Sequence, residues 1–451
     1  MRTRLASLGS AALLLLPLSA AAQVVSRPER AAEIISRTTD QTRSTQSLAF
    51  SLDLLGGYDQ NDSQDFQLVD PDAPPLFLES SSTGTVNAGL AYSRVDATRV
   101  LGVTVNGGTS FYGGGGLNQD VGPSKNFNAG LTWTTPIGRS TRFSASQRLL
   151  YDSLYSFGAF EPLDNDIPIG ELPGSTTQGV AALDSFATDS TLGLERRVGR
   201  RNALNGSVGY SRRNYTGGEA TGDTSSQSAN VGWSRQVQRT TSLNVTYGYS
   251  NGEYAPLIGG GTTRPLVGHA VQGGMSFSKR LSPRKAAQFS FSLGATRTDA
   301  VSGDDDIRYA FWAPSGSAQV RVDLGRTWVL SGNYSRGTTA LSGLTLEAYN
   351  SSTLGTSVGG SVGRVGLVFT AGLAGGATGV GAVESSDYTS YTGAVQASMP
   401  IGRHLSTLVE YSYYSYDVTG TATLPSSLPP SYQRSTIRAG LSLRLPIIET
   451  R

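Results

Sequence analysis

Residues 243–250 read LNVTYGYS: Leu243, Val245, Tyr247 and Tyr249 fall on one side of an extended chain, and Asn244, Thr246, Gly248 and Ser250 on the other. Successive side chains of a strand point to opposite faces, so the stretch predicts a β-strand with one apolar and one small polar face. Residues 127–135 repeat the pattern, with Phe127, Ala129, Leu131 and Trp133 against Asn128, Gly130, Thr132 and Thr134. So do Phe289, Phe291 and Leu293 against Gln288, Ser290, Ser292 and Gly294. The alternation begins near Gln46, recurs about eighteen times, and closes with Ile437, Ala439, Leu441, Leu443 and Leu445.

Short turns punctuate these strands: PIGRS (136–140), VGRRN (198–202), VQRTT (237–241), LSPRK (281–285), LGRTW (324–328), VGRVG (362–366) and PIGRH (400–404), with an earlier one at Asp96–Thr98. Between them lie longer connections rich in Gly, Pro, Asn and Asp, the longest spanning 153–185. Eight tight turns and nine long connections join eighteen predicted strands of roughly ten residues each. An all-β repeat of about 40 residues also fits a propeller blade, but a blade packs four short strands into that length around a core apolar on both faces. A soluble sheet would cover its second face with Lys and Glu, and these strands carry almost none there. Alternating strands with tight turns on one side and long connections on the other are the pattern of a transmembrane antiparallel β-barrel, all-β in class. Closing the sheet pairs every backbone N–H and C=O in a medium that offers no water.

Composition agrees. The 451 residues include 56 Gly and no Cys, hydrophobic residues make up 38% and charged residues 16%, and the formal net charge is +2. The apolar and charged fractions both fall below those of ordinary soluble domains, while 20 Tyr, 14 Phe and 4 Trp exclude a disordered chain. The lack of Cys excludes disulfide scaffolds, Cys-ligated metals and thiol nucleophiles, and near-neutral charge gives no support for nucleic-acid binding. The aromatics gather near strand ends, with Tyr92, Trp133, Trp233, Phe277 and Trp328 by the tight turns. Tyr151, Tyr210, Tyr249, Tyr334 and Tyr413 lie towards the long connections, as two interfacial girdles require.

The first 22 residues, MRTRLASLGSAALLLLPLSAAA, carry Arg2 and Arg4, an apolar run from Ala11 to Leu16, and small residues before Gln23. They read as a secretory signal peptide, its apolar run too short to span a bilayer. Residues 23–44 are expected to form a periplasmic segment containing a short helix at 28–37 (PERAAEIISR), and 45–451 the barrel.

With these features the chain resembles a bacterial outer-membrane porin of Gram-negative cells, the likeness covering residues 45–448 as architecture. It is similar as well to β-barrel porins found with exopolysaccharide systems. Such barrels often end in an aromatic residue that the assembly machinery reads; this chain ends LRLPIIETR. The resemblance implies outer-membrane lipid and lipopolysaccharide, the barrel assembly machinery, and a periplasmic export partner as partners. In general porins the loop at the ordinal position of 153–185 folds inward and sets acids against wall arginines. By that resemblance Glu161, Asp164, Asp166 and Glu171 would form a constriction loop facing Arg142, Arg148 or Arg213, the alternative being a solvated external loop.

Parity places few charges on the inner face: Asp53, Arg142, Arg148, Asp189, Glu195, Arg213, Arg321, Asp323, Glu410, Arg438 and Arg444. Arg142 or Arg148 is expected to pair with Asp189 or Glu195, and Glu410 with Arg438 or Arg444, either levelling the wall's electrostatics or filtering ions. Acids in other external loops, Asp59, Asp62, Asp65, Asp70, Asp72 and Asp304–Asp306, are read as solvated, because their spacing does not match a calcium loop. The only histidines are His269 and His404, at opposite ends of the predicted barrel, so no acid–base or nucleophilic site is expected. No cofactor or metal is expected either. The sequence thus predicts an outer-membrane channel for small polar, uncharged solutes such as saccharides. An exopolysaccharide export porin and a structural or adhesive barrel without an open pore are the alternatives.

Overall fold

The computed structural model describes residues 45–62, 81–96, 98–113, 124–155, 181–216, 224–254, 264–282, 285–302, 307–325, 327–340, 348–378, 386–420 and 431–450. The expected signal peptide, the 28–37 helix and the proposed constriction residues Glu161, Asp164, Asp166 and Glu171 lie outside them.

The described chain forms eighteen strands. In order they are β1 (Thr45–Asp62), β2 (Ser81–Val95), β3 (Val100–Gly113), β4 (Ser124–Ile137), β5 (Thr141–Tyr155) and β6 (Ala181–Val198). Next come β7 (Asn202–Thr216), β8 (Thr224–Gln238), β9 (Thr241–Tyr254), β10 (Arg264–Ser282), β11 (Lys285–Ser302) and β12 (Ile307–Leu324). The last are β13 (Trp328–Ala340), β14 (Ala348–Val362), β15 (Val365–Thr378), β16 (Ser386–Pro400), β17 (Leu405–Gly420) and β18 (Ser431–Thr450). Each pairs antiparallel with its sequence neighbours, and β1 also pairs with β18 from Gln46↔Thr450 to Asp62↔Gln433, closing the sheet into a barrel.

The strands run from 13 residues in β13 to 20 in β18, longer than the ten expected. Backbone pairing continues beyond the hydrocarbon on the side of the long connections. Stretches read as loop, such as 58–62 and 181–185, therefore belong to strands. The tight turns instead fall where expected, and where one needs φ > 0, as in the three-residue links 138–140 and 199–201 and the two-residue link 363–364, Gly supplies it cheaply. Gly138, Gly199 and Gly363 sit in these turns at φ of 78°, 80° and 62°.

Facing follows the sequence parity. Leu131, Leu192, Val208, Val231, Leu293 and Ile437 are all exposed although large and apolar, and each shares the outer face with its register partners. An apolar surface of this extent, wrapped around a closed sheet, requires hydrocarbon as its solvent. All ten girdle aromatics named above lie on this face. Trp133 meets Phe143 edge-on at 5.6 Å, and the Trp328 ring lies where a side chain at Gly360 would stand. The protein is a multi-pass β-barrel of the outer membrane, with its short turns on the periplasmic side.

Facing sets the cost of a charge. Val208→Arg, on the outer face midway along β7, should lower the unfolding free energy in lipid vesicles by about 2–4 kcal/mol. Ser207→Arg, one residue away and inward, should change it by less than about 1 kcal/mol. Urea titrations of the two variants check this; equal losses would mean the faces are assigned wrongly.

Candidate functional site: the inner wall

The inner face divides into two sectors. Along β4 to β12 most inward side chains keep contact with solvent: Thr132, Ser146, Arg148, Asn205, Ser250, Gln288 and Ser317 are exposed, while Thr134, Ser185, Ala187, Gln272, Thr298, Ala313 and Ser315 are buried. From β14 through β18 to β2 much more of the inner wall is buried, as at Ser357, Val368, Gln396, Leu408, Glu410, Tyr414, Arg434 and Thr85.

The wet sector holds most of the predicted charges. Arg142 stands opposite Glu195, and Arg148 opposite Asp189, in the β5–β6 register. Neither pair closes to an ion pair within 4.0 Å. Asp189 instead accepts a hydrogen bond from Ser211 Oγ of β7 at 2.6 Å. Arg213 lies two residues further along the same face of β7, opposite Ala187. The pair that does close runs along one strand: Arg321 and Asp323 of β12 meet at 3.3 Å. Side chains two apart on a strand share a face, which suffices for an arginine to reach back. Arg444 is exposed on the inner face near the turn end of β18, opposite Ser51. Asp53 lies inward between Asn87 and Ser442.

Glu410 and Arg438 correct the expected picture of a solvated lining. They are register partners across β17 and β18, but are only 5% and 7% exposed and make no ion pair. They belong to a row running Gln396, Glu410, Arg438, Gly57, Thr83 across five strands. Gly57 has no room for a side chain because the Ile437 carbonyl and the Arg438 residue lie over it.

One row nearer the long connections, Asp59 departs further from expectation. Read as a loop acid, it lies inward on β1 and is 1% exposed. Its carboxylate accepts from Arg434 Nε at 2.8 Å and 3.0 Å, from Arg434 Nη2, and from Thr436 Oγ1 at 3.0 Å. Both oxygens are thus satisfied by β18, and the forked guanidinium bridges the seam between first and last strands. Above it Tyr414, Tyr416 and Tyr432 form an inward aromatic cluster, exposed 1%, 3% and 2%, with centroids 5.7 to 6.3 Å apart. The run YSYYSY at 411–416 was the available signal: its doubled Tyr413-Tyr414 puts tyrosines on both faces.

The histidines stay apart. His269, on the outer face of β10, shares a hydrogen bond of 2.8 Å with Tyr247 through Nδ1. His404 bonds the Arg444 carbonyl at 3.1 Å in the last tight turn. Among the described residues no group of three or more His, Asp or Glu is placed to hold a metal ion.

No protein-family model and no curated protein matches the sequence. Solved structures similar to the chain include OpdQ of Pseudomonas aeruginosa, with a TM-score of 0.41, 12% identity, and coverage of 90% of this chain and 98% of that one. The FrpB iron transporter of Neisseria meningitidis gives a TM-score of 0.42 at 9% identity, covering 88% of this chain and 81% of that one. The alcaligin outer-membrane receptor FauA of Bordetella pertussis gives 0.40 at 9% identity, covering 88% and 76%. Likeness at this level adds nothing to the assignment, which rests on closure, facing and turn asymmetry.

Removing one partner of a buried ion pair leaves the other charge uncompensated. Asp59→Ala should therefore cost about 3–5 kcal/mol of unfolding free energy. The double variant Asp59→Leu, Arg434→Leu should recover most of that loss. Urea unfolding in vesicles measures both, and a small single-variant loss would show that the pair is not the seam's anchor.

Proposed function

We propose that the protein is a passive outer-membrane channel for small polar solutes, and that saccharides are the class its lining fits. The observation that carries this is the wet inner sector: hydroxyl, carboxamide and glycine positions on β4–β12 face solvent inside a closed barrel. Barrels of 16 to 18 strands are wide enough for an aqueous lumen. Hydroxyls and carboxamides both donate and accept, so they exchange hydrogen bonds with sugar hydroxyls without holding a charge in place. Charges of both signs along the sector, Arg142 and Arg148 facing Glu195 and Asp189, leave it without a strong net filter at mid-height. The buried β14–β2 sector favours a second reading, a barrel closed along its length with a structural role.

Planar-bilayer recording separates the two. Stable conductance steps are expected, and a silent, correctly folded protein would support the structural barrel. In a conducting protein Arg148→Glu should shift the reversal potential in a KCl gradient towards cation preference. Glu410→Gln should leave it unchanged, because Glu410 is buried away from the passage. The opposite pattern would put the passage along the other wall.

A further inference from the structure

The net charge of +2 conceals a separation of charge along the barrel axis. At the tight-turn end Arg99, Arg139, Arg200, Arg201, Arg239, Arg364 and Arg403 are all exposed, and none makes a side-chain hydrogen bond or ion pair among the described residues. Turn geometry does not account for them. Positive φ calls for the glycine at 138, 199, 325 and 363, but the sequence repeats Gly-Arg at 138–139, 199–200, 325–326, 363–364 and 402–403, and nothing in a hairpin requires the arginine. Arg197, Arg280 and Arg444 continue the positive charge onto the inner face at the same end. Cations that serve the neighbouring lipid headgroups are a separate set, Arg196, Arg235, Lys279 and Lys285, on the outer face just inside the turns.

The other end has the opposite sign in its sequence. The nine long connections, 63–80, 114–123, 156–180, 217–223, 255–263, 303–306, 341–347, 379–385 and 421–430, contain sixteen acidic residues and neither Lys nor Arg. A mouth of one sign raises the local concentration of counter-ions and speeds their entry by roughly 10- to 1,000-fold, and a mouth of the other sign repels them.

We propose that the arginine ring is a capture surface for acidic saccharides, chains bearing carboxylate or a like anionic group, arriving from the periplasmic side. This rests on the channel reading above and adds the sign and side of its solute. Guanidinium groups spaced around the rim meet successive carboxylates of a chain, each by a bidentate contact. A neutral chain gains nothing from them, and the sequence of the connections at the other end offers an anionic chain acids and no such cation. The charges drive no net transport; they set from which side an anion enters readily.

The test uses the full mature chain in planar bilayers. Because the protein has no Cys, Ser140→Cys with a membrane-impermeant maleimide reports which way each channel is inserted. Oligogalacturonate and a neutral malto-oligosaccharide of equal length are added to either side. At about 0.1 M KCl, where charges act over ~10 Å, oligogalacturonate should block current from the tight-turn side at roughly tenfold lower concentration than from the other. At about 1 M KCl, where the range falls to ~3 Å, the difference should vanish. It should vanish as well when Arg139, Arg200, Arg201, Arg239, Arg364 and Arg403 are replaced by Ser with the turn glycines kept. The neutral sugar should show no side preference.

Equal block by the acidic sugar from both sides, or an unchanged preference in the Ser variant, would overturn the proposal. So would a variant that loses co-purifying phosphatidylglycerol in native mass spectrometry while its block by oligogalacturonate is unaltered, since the ring would then be a lipid contact. A protein that never conducts removes the channel reading instead. Titration of oligogalacturonate into the detergent-solubilised barrel, native ring against Ser variant, then decides the capture surface alone: weaker binding by the variant supports it, and equal binding sinks it.

Discussion

Hydrocarbon offers no hydrogen bonds, and the rest of the structure follows from that. A strand edge left open in the bilayer would carry a row of unpaired amides and carbonyls, each costing several kcal/mol. The sheet therefore closes, and the closure is the β1–β18 pairing along nearly the whole of β1. Once closed, the strand alternation has only two places to send side chains. Large apolar residues go to the lipid side, small and polar ones to the lumen. The glycine-rich, charge-poor composition is the composition of a wall one residue thick, with no core to fill.

The seam is chemically distinct from the other seventeen pairings. It is where a buried bidentate ion pair, Asp59 with Arg434, joins strands 375 residues apart in sequence. Here also the inner face is dry, with the tyrosine cluster and the Glu410–Arg438 row alongside. Most of the solvated charges lie on the opposite wall, Arg444 and Asp53 at the seam excepted, so the lumen has a fixed side and a lining side instead of a uniform ring.

Much of this was legible in the sequence. The count of eighteen strands, the tight turns and the identity of the inward charges follow from period-two alternation and from Gly in hairpins, both local properties. Strand ends were less legible: pairing outlasts the apolar band, so the polarity that marked 58–62 as loop marks only the edge of the bilayer. Asp59 was misplaced for that reason. Burial on the inner side was not legible at all. Parity says that Glu410 and Arg438 point inward, but not whether water or protein meets them there. The tyrosines were visible as YSYYSY, yet a girdle pattern accounts only for the outward Tyr413 and gives no reason for the inward Tyr414 and Tyr416. The axial charge separation was fully present in the sequence and hidden by summing it to +2.

The seam also has a consequence for biogenesis. Every other strand finds its partner next to it in the chain, within one hairpin. β1 has one edge that nothing can satisfy until β18 has been synthesised and delivered, and this far edge must be shielded from other open sheets throughout. Ring completion is therefore a single late commitment, and a nascent chain released before it would present two sticky borders at once. The interlocked Asp59 and Arg434 would act as the latch that makes that commitment hard to reverse.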